Sequence, residues 1–181
     1  MPHKIQTSRL LAICWMLISA LIFSAHGATP DKPANNSPVK LNIDITTHLG
    51  DQQVFVEHDV ISFLISLDKA AYLYAFYQDA AGQVTQILPG KAMPEHFFQP
   101  GQYLPFPSAN SGLQFQVQKP FGEEQLWVFG SDNGEIQFHD VNATTGIAQV
   151  AFKQSELENY IRAKSALLFG TAALIIHTRK Q

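Results

Sequence analysis

The chain has 181 residues, of which 46% are hydrophobic and 15% charged, and its formal net charge is −3 at pH 7. This length is typical of one domain. The lysines and arginines form no cluster. We therefore exclude nucleic acid as a partner, because binding to phosphates needs a concentrated positive surface.

The N-terminal segment has the organisation of a secretory signal peptide. Two basic residues precede the uncharged run Leu10–Phe23, which has about 14 residues where a membrane-spanning helix needs ~20. The small residues Ala25 and Gly27 suit signal cleavage before Ala28. We therefore predict a signal peptide at 1–27 and a periplasmic or secreted mature protein that does not span the membrane. The alternative is that the segment is retained as an N-terminal anchor.

The single cysteine, Cys14, lies inside this apolar run and not at its end, where a lipoprotein would carry it. The mature protein is therefore expected to have neither a disulfide nor thiolate chemistry. Its fold has to be stabilised by packing alone.

The remainder divides into a linker and one domain. Residues 28–39 are rich in Pro, Asn and Ser and predict a flexible linker. Residues 40–181 predict a single β-rich domain, because short alternating segments are separated by Gly- and Pro-rich turns. We predict its strands at Lys40–Thr47, Val54–Val56, Val60–Leu67, Val84–Leu88, Leu113–Gln118, Gln125–Phe129 and, pairing back, Ile136–His139.

Residues Ala70–Gly90 predict a hairpin, and the rest of the domain is organised around its first strand. Alternation places Tyr72, Tyr74 and Phe76 on one face of this strand. Leu73, Ala75 and Tyr77 fall on the other face. A strand that is apolar on both faces is typical of the middle of a sheet that is covered on both sides.

Only one helix is predicted, near the C-terminus. Ser155 is the expected N-cap and Gly170 the expected residue just beyond its end. Thr171–His177 then predicts a final strand. The fold class that follows is mainly β: an antiparallel β-sandwich-like domain with one C-terminal α-helix followed by a final strand. An open sheet backed by the helix is the alternative.

Two serine-containing segments invite an enzymatic interpretation. Ser66 and Lys69, followed by Ser131-Asp132-Asn133, resemble the boxes of penicillin-interacting serine enzymes. That chemistry needs the serine at the start of a helix, whereas Ser66 lies at the end of a predicted strand. We therefore predict no catalytic residues and no enzyme; a small hydrolase with an unrecognised site is a weaker alternative.

Metal and cofactor sites are not predicted either. The histidines of residues 28–181 lack the spacing of metal ligands. In the adjacent pairs His58-Asp59 and His139-Asp140, neighbouring side chains on a strand point to opposite faces. The segment Asp132–Glu135 has oxygen ligands without calcium-loop spacing, and it predicts a hairpin turn.

Aromatic residues supply the one candidate binding surface. Residues 91–111 predict a Pro-rich loop that carries Phe97, Phe98, Tyr103 and Phe106. Exposed aromatic side chains in a loop are typical of a protein or glycan contact.

Several landmarks between residues 59 and 132 resemble a bacterial family catalogued as domain of unknown function 4384. They are Tyr72-Leu73-Tyr74, the turn Asp79–Val84, Leu88-Pro89, Pro100-Gly101, Leu104-Pro105 and Pro120–Glu124. The resemblance implies an accessory module of the kind found in envelope proteins or appended to caspase-like peptidases or serine/threonine kinases. It implies no catalytic residues.

The sequence thus predicts a non-enzymatic accessory or protein-interaction module of the bacterial cell envelope, without a cofactor, whose partner is another envelope protein. A glycan- or peptidoglycan-binding module that uses the aromatic loop around 97–106 is the alternative.

Overall fold

A computed structural model describes residues 38–138 and 148–181. The predicted signal peptide, most of the predicted linker and the pair His139-Asp140 lie outside the described residues. The strands are β1 (Val39–Lys40), β2 (Ile43–Thr47), β3 (Val54–Val56), β4 (Val60–Ile61), β5 (Phe63–Leu67), β6 (Ala71–Gln78), β7 (Val84–Leu88), β8 (Phe97–Phe98), β9 (Leu104–Phe106), β10 (Phe115–Gln116), β11 (Glu123–Ser131), β12 (Ala148–Val150) and β13 (Leu168–Arg179). The helix α1 (Gln154–Lys164) lies between β12 and β13.

The strands form one large sheet and two small ones. The 8-stranded sheet has the order β1-β13-β11-β6-β7-β12, with β3 also paired to β13 and β8 to β6. A 3-stranded sheet has the order β2-β5-β9, and β10 pairs with β4. This architecture confirms the mainly β, sandwich-like class with one helix followed by a final strand. The pairs are antiparallel except at one edge of the large sheet, where β1 and β3 run parallel to β13.

Strand β6 separates two hydrophobic cores. Leu73 and Ala75 belong to one core, together with the buried side chains of β5. Tyr74 and Phe76 belong to the other core, together with Leu157 and other residues of α1. The two faces predicted from the alternation of β6 are therefore confirmed, as is its central position between β11 and β7.

The ends of the helix differ from the prediction. The N-cap is Lys153 and not Ser155, and the helix ends at Lys164 with Ser165 as its C-cap. Gly170 does not follow the helix but lies inside β13, where a Cβ atom would collide with the backbone of Leu41. Close packing, and not helix termination, therefore explains this glycine.

Several strands are shorter than predicted or were missed. Lys40–Thr47 and Val60–Leu67 are each interrupted, and only β10 of the segment Leu113–Gln118 joins a ladder. Residues 136–138 form no strand, and β12 pairs with β7 instead. The predicted loop 91–111 contains the short strands β8 and β9. Among the described residues, the helix α1 has 11 residues and is too short to span a bilayer.

Candidate binding sites

The predicted aromatic loop does not present all of its rings to solvent. Phe106 is 2% exposed and lies in the core, with its ring centroid 6.5 Å from that of Phe63 on the paired strand. Its inclusion in a binding surface is therefore wrong. Phe98 is half-buried and packs against the same core, because successive residues of β8 point to opposite faces of the sheet.

Phe97 is the loop residue that forms an aromatic surface. It is 49% exposed, and its ring lies 4.8 Å from that of its cross-strand partner Tyr72. The His96 ring lies 5.3 Å from Tyr72 on the same surface, and its Nε2 lies 3.2 Å from the carbonyl oxygen of Gly134. We call Tyr72, His96 and Phe97 the Phe97 patch. Sequence reasoning missed Tyr72 and His96, since only the register of β8 against β6 places them there.

Tyr103 is equally exposed but has a different environment. Its side chain is 48% exposed, and its hydroxyl donates a hydrogen bond to the carboxylate of Asp44 on β2. This hydrogen bond raises the pKa of Tyr103 above its usual value. Tyr103 has no ring contact with the Phe97 patch among the described aromatic pairs.

A polar cleft of about 290 Å³ opens at the ends of β6 and β11. Its lining comes from two parts of the chain. Strands β6 and β11 and the turn after β6 contribute Tyr77, Asp79 and Glu124, and the segment around β10 contributes Gln114, Gln116, Gln118 and Lys119. An adjoining cleft of about 140 Å³ shares Tyr77, Gln114 and Gln116 and adds the apolar residues Ile61, Phe115 and Val117.

Glu124 is the buried ionisable group of the polar cleft. Its side chain is 5% exposed, and its carboxylate accepts hydrogen bonds from the hydroxyls of Tyr77 and Thr178, the latter at 3.0 Å. Burial raises the pKa of Glu124, although these two hydrogen bonds act in the opposite direction. Burial, together with the hydrogen bond to Glu124, raises the pKa of Tyr77 far above its usual value. Tyr77 therefore remains a hydrogen-bond donor.

The exposure of the three glutamines in the polar cleft agrees with the alternation of polar and apolar residues in this segment. Gln114, Gln116 and Gln118 are exposed, whereas Val117 is buried and Phe115 half-buried. The polar face of this segment is therefore solvent-accessible. The sequence could not show that this face lies opposite a buried carboxyl group, because Glu123-Glu124 resembles an exposed charged pair.

The serine-containing segments take structural roles. Ser66 lies in β5, and Lys69 forms an ion pair with Asp68 at 2.7 Å. Ser131 is buried and its hydroxyl lies 2.7 Å from that of Ser165. Within the described residues, no hydrogen bond joins the first segment to the second.

The turn after β11 anchors the start of β13. The carboxylate of Asp132 accepts hydrogen bonds from the backbone N–H groups of Ala166 and Leu167, at 3.0 and 2.7 Å. Asn133 Nδ2 donates to the carbonyl oxygen of Lys164 at the end of the helix. The segment bends the chain after β11, but the predicted hairpin is wrong, because residues 136–138 form no strand that pairs back with β11. Residues 38–138 and 148–181 contain no group of three or more His, Cys, Asp or Glu side chains that is arranged to hold a metal ion.

Comparison with known proteins gives one match. No curated protein and no solved structure is significantly similar to the chain. Residues 54–133 match the family model described as Domain of unknown function (DUF4384). The match runs from β3 to the end of β11 and includes every lining residue of the polar cleft, whereas Thr178 lies outside it. The part of the chain from residue 54 to residue 133 is therefore similar to Domain of unknown function (DUF4384), which confirms the resemblance inferred from its sequence landmarks.

Proposed function

We propose that this chain is an exported, non-enzymatic module of the bacterial cell envelope that binds another envelope protein. The signal-peptide pattern at 1–27 supports export. The resemblance of residues 54–133 to Domain of unknown function (DUF4384) implies an accessory role.

The Phe97 patch is the observation that carries the proposal. Half of the Phe97 side chain remains exposed although Tyr72 packs against its ring. Aromatic side chains are enriched in protein interfaces, where a few of them contribute most of the binding energy. Because Phe97 is already held by Tyr72 and by the pairing of β8 with β6, a partner would lose little side-chain entropy on contacting it.

Capture in the native cell tests this proposal. The tagged chain would be crosslinked in the intact envelope, and the captured molecules identified by mass spectrometry. We expect one recurrent envelope protein with the wild type, and its loss with Phe97→Ala. Tyr103→Ala is the matched control, because Tyr103 is equally exposed but lies outside the Phe97 patch.

Two results would contradict the proposal. Capture of cell-wall fragments in place of a protein would favour the glycan-binding alternative. Equal capture by the wild type and Phe97→Ala would exclude the Phe97 patch as the contact. Thermal unfolding of both variants establishes that neither substitution disrupts the fold.

A further inference from the structure

We propose that the polar cleft binds a cationic side chain of an extended protein segment, with the guanidinium group of an arginine as the best fit. The inference rests on the proposed function in taking the ligand to be a protein, and it adds the chemistry that the ligand presents. Three observations support it: the buried carboxyl group, the charge of the lining and the shape of the two adjoining clefts.

The first observation is that Glu124 is buried without a cation. Its two hydrogen-bond donors are neutral hydroxyl groups. The ion pairs found in residues 38–138 and 148–181 involve other carboxylates, those of Asp68 and Glu158. Removing a carboxylate from water is costly unless a cation or several hydrogen bonds compensate for it. A cationic ligand would supply that compensation. The raised pKa of Glu124 is consistent with a carboxyl group that has no cation beside it.

The second observation is the charge of the lining. Asp79 is a second carboxylate, and its turn hydrogen bonds, from the N–H groups of Ala81 and Gln83, use only Oδ1 among the described contacts. Its Oδ2 can therefore accept from a ligand. Lys119 is the single cation of this lining. With both carboxyl groups ionised the polar cleft carries a net negative charge, which attracts a cation and disfavours an anionic ligand.

The third observation is the shape and the rim of the site. A volume of about 290 Å³ lies at the lower limit of the roughly 300–1,000 Å³ that is typical of ligand pockets, so the polar cleft suits one side chain. The side-chain amides of Gln114, Gln116 and Gln118 supply carbonyl oxygens that can accept from a guanidinium group, which has five N–H donors.

The adjoining cleft and β10 indicate an extended ligand. Ile61, Phe115 and Val117 in the adjoining cleft suit an apolar side chain next to the cationic one. Within the described sheets β10 pairs with β4 alone, so one edge of this strand has no strand partner there. A segment of another protein can form main-chain hydrogen bonds with such an edge while its side chains enter pockets.

An NMR titration of the ¹⁵N-labelled protein tests the inference with a defined probe. The probe is Nα-acetyl-arginine amide, and its control is Nα-acetyl-citrulline amide, which has nearly the same shape without the charge. We expect saturable shifts at Tyr77, Gln116 and Glu124 with the arginine probe. Binding of the citrulline probe should be at least about tenfold weaker, because an ion pair with a desolvated carboxylate is lost.

Three variants locate the interaction. Glu124→Gln should abolish the shifts. Glu123→Gln is the matched control, since Glu123 is the exposed neighbour on the same strand and should leave binding unchanged. Lys119→Gln should strengthen binding, because it removes the like charge from the lining. This variant keeps the inference testable even if Glu124→Gln proves unstable.

The result can also overturn the inference. Equal binding of both probes, or the absence of saturable shifts with the arginine probe, would exclude a cation site. Shifts produced only by N,N′-diacetylchitobiose would instead identify a glycan site. If the arginine probe binds but crosslinking captures no protein, the cation site stands and the proposed function fails. If capture succeeds and the titration is negative, only the cation site fails.

Discussion

The hydroxyl of Tyr77 on β6 donates a hydrogen bond to the carboxylate of Glu124 on β11. The register places Tyr77 directly opposite Leu126, so Glu124 is its diagonal neighbour on the same face, within reach of a long side chain. Thr178 on β13 donates to the other oxygen of the carboxylate. One buried acid thus joins three adjacent strands at the floor of the polar cleft.

The first prediction concerns the pH dependence of stability. Because burial raises the pKa of Glu124 in the folded state, the folded protein retains a proton that the unfolded chain releases. Its stability contribution therefore falls as pH rises from the usual glutamate range, near 4.5, through the folded pKa. We expect urea unfolding to show that the stability of the wild type relative to Glu124→Gln decreases as the pH rises above the usual glutamate range, near 4.5.

Glu123→Gln controls for the loss of one negative charge. Glu123 is exposed on the same strand, so its substitution should change the unfolding free energy by a nearly constant amount across this range. Parallel pH profiles for the wild type and Glu124→Gln would show that Glu124 titrates alike in the folded and unfolded states.

A second prediction concerns the buried hydroxyl of Tyr74. This hydroxyl donates to the carbonyl oxygen of Asn133 at 2.6 Å and accepts from the N–H group of Ile136 at 3.3 Å. Tyr74→Phe leaves the N–H group of the buried residue Ile136 unsatisfied, at a cost of about 1–3 kcal/mol, whereas water can replace the hydroxyl at the carbonyl oxygen of the half-buried Asn133. We expect a loss of about 1–3 kcal/mol in the unfolding free energy measured by urea titration.

Tyr72→Phe is the matched control for this substitution. The Tyr72 side chain is half-buried on the same face of β6, and none of the described hydrogen bonds involves its hydroxyl. Its removal should change stability by no more than about 0.5 kcal/mol. Equal losses for the two variants would mean that the hydrogen bonds of Tyr74 contribute nothing specific.

The hairpin shows how much of this fold its sequence specifies. Strand β6 alternates aliphatic and aromatic residues from Ala71 to Phe76, and Pro89 follows the end of β7, so both strands could be predicted together with the two faces of β6. The short strands β8, β9 and β12 contain only two or three residues each, too few to display a period. Their existence depends on pairing with strands that are distant in sequence.

The candidate sites could not be predicted from the sequence, because their residues are brought together by the register of the sheets. The alternation of glutamines predicts an exposed face, but only the pairing of β11 with β6 and β13 brings Glu124 beside Tyr77 and Thr178. Phe106 failed as a surface residue for the same reason. It pairs with Phe63 on the central strand of the 3-stranded sheet, and that pairing turns its ring into the core.

The third prediction concerns two glycines that face each other across β11 and β13. Gly130 pairs with Gly170, and Leu41 packs over both. A Cβ atom at Gly130 would meet the Leu41 side chain, whereas a Cβ atom at Gly170 would meet the Leu41 carbonyl oxygen. A side chain can move more easily than a hydrogen-bonded backbone, so Gly170→Ala should be the more destabilising of the two. Overpacking of this kind costs about 1–3 kcal/mol or more.

A double-mutant cycle with Leu41→Ala distinguishes the two collisions. The truncation removes the atom that a Cβ at Gly130 would meet, so Leu41→Ala should offset part of the cost of Gly130→Ala. It leaves the Leu41 backbone in place and should not rescue Gly170→Ala. Rescue of both variants, measured by thermal unfolding, would show that the backbone at Leu41 itself shifts to accommodate the new side chains.

The final prediction concerns the start of the helix, where the sequence suggested Ser155 and the structure has Lys153. Lys153 has the extended backbone of an N-cap, and its N–H group donates to the Glu156 carboxylate at 2.8 Å. A lysine side chain has no acceptor for the N–H groups of the first turn, and the Glu156 N–H group donates to the Lys153 carbonyl oxygen at 3.0 Å. Lys153→Ser would complete a Ser-x-x-Glu capping box with Glu156. We expect a gain of about 0.5–2 kcal/mol in the unfolding free energy.

Lys153→Ala is the control that distinguishes the effect of the new serine hydrogen bond from the effect of removing the lysine. Alanine also removes the positive charge near the helix N-terminus, where the macrodipole disfavours it, but it supplies no acceptor. The serine variant should therefore be the more stable of the two in urea titrations. If the two variants are equally stable, the gain comes from the removed charge, and the N–H groups of the first turn are already satisfied by water.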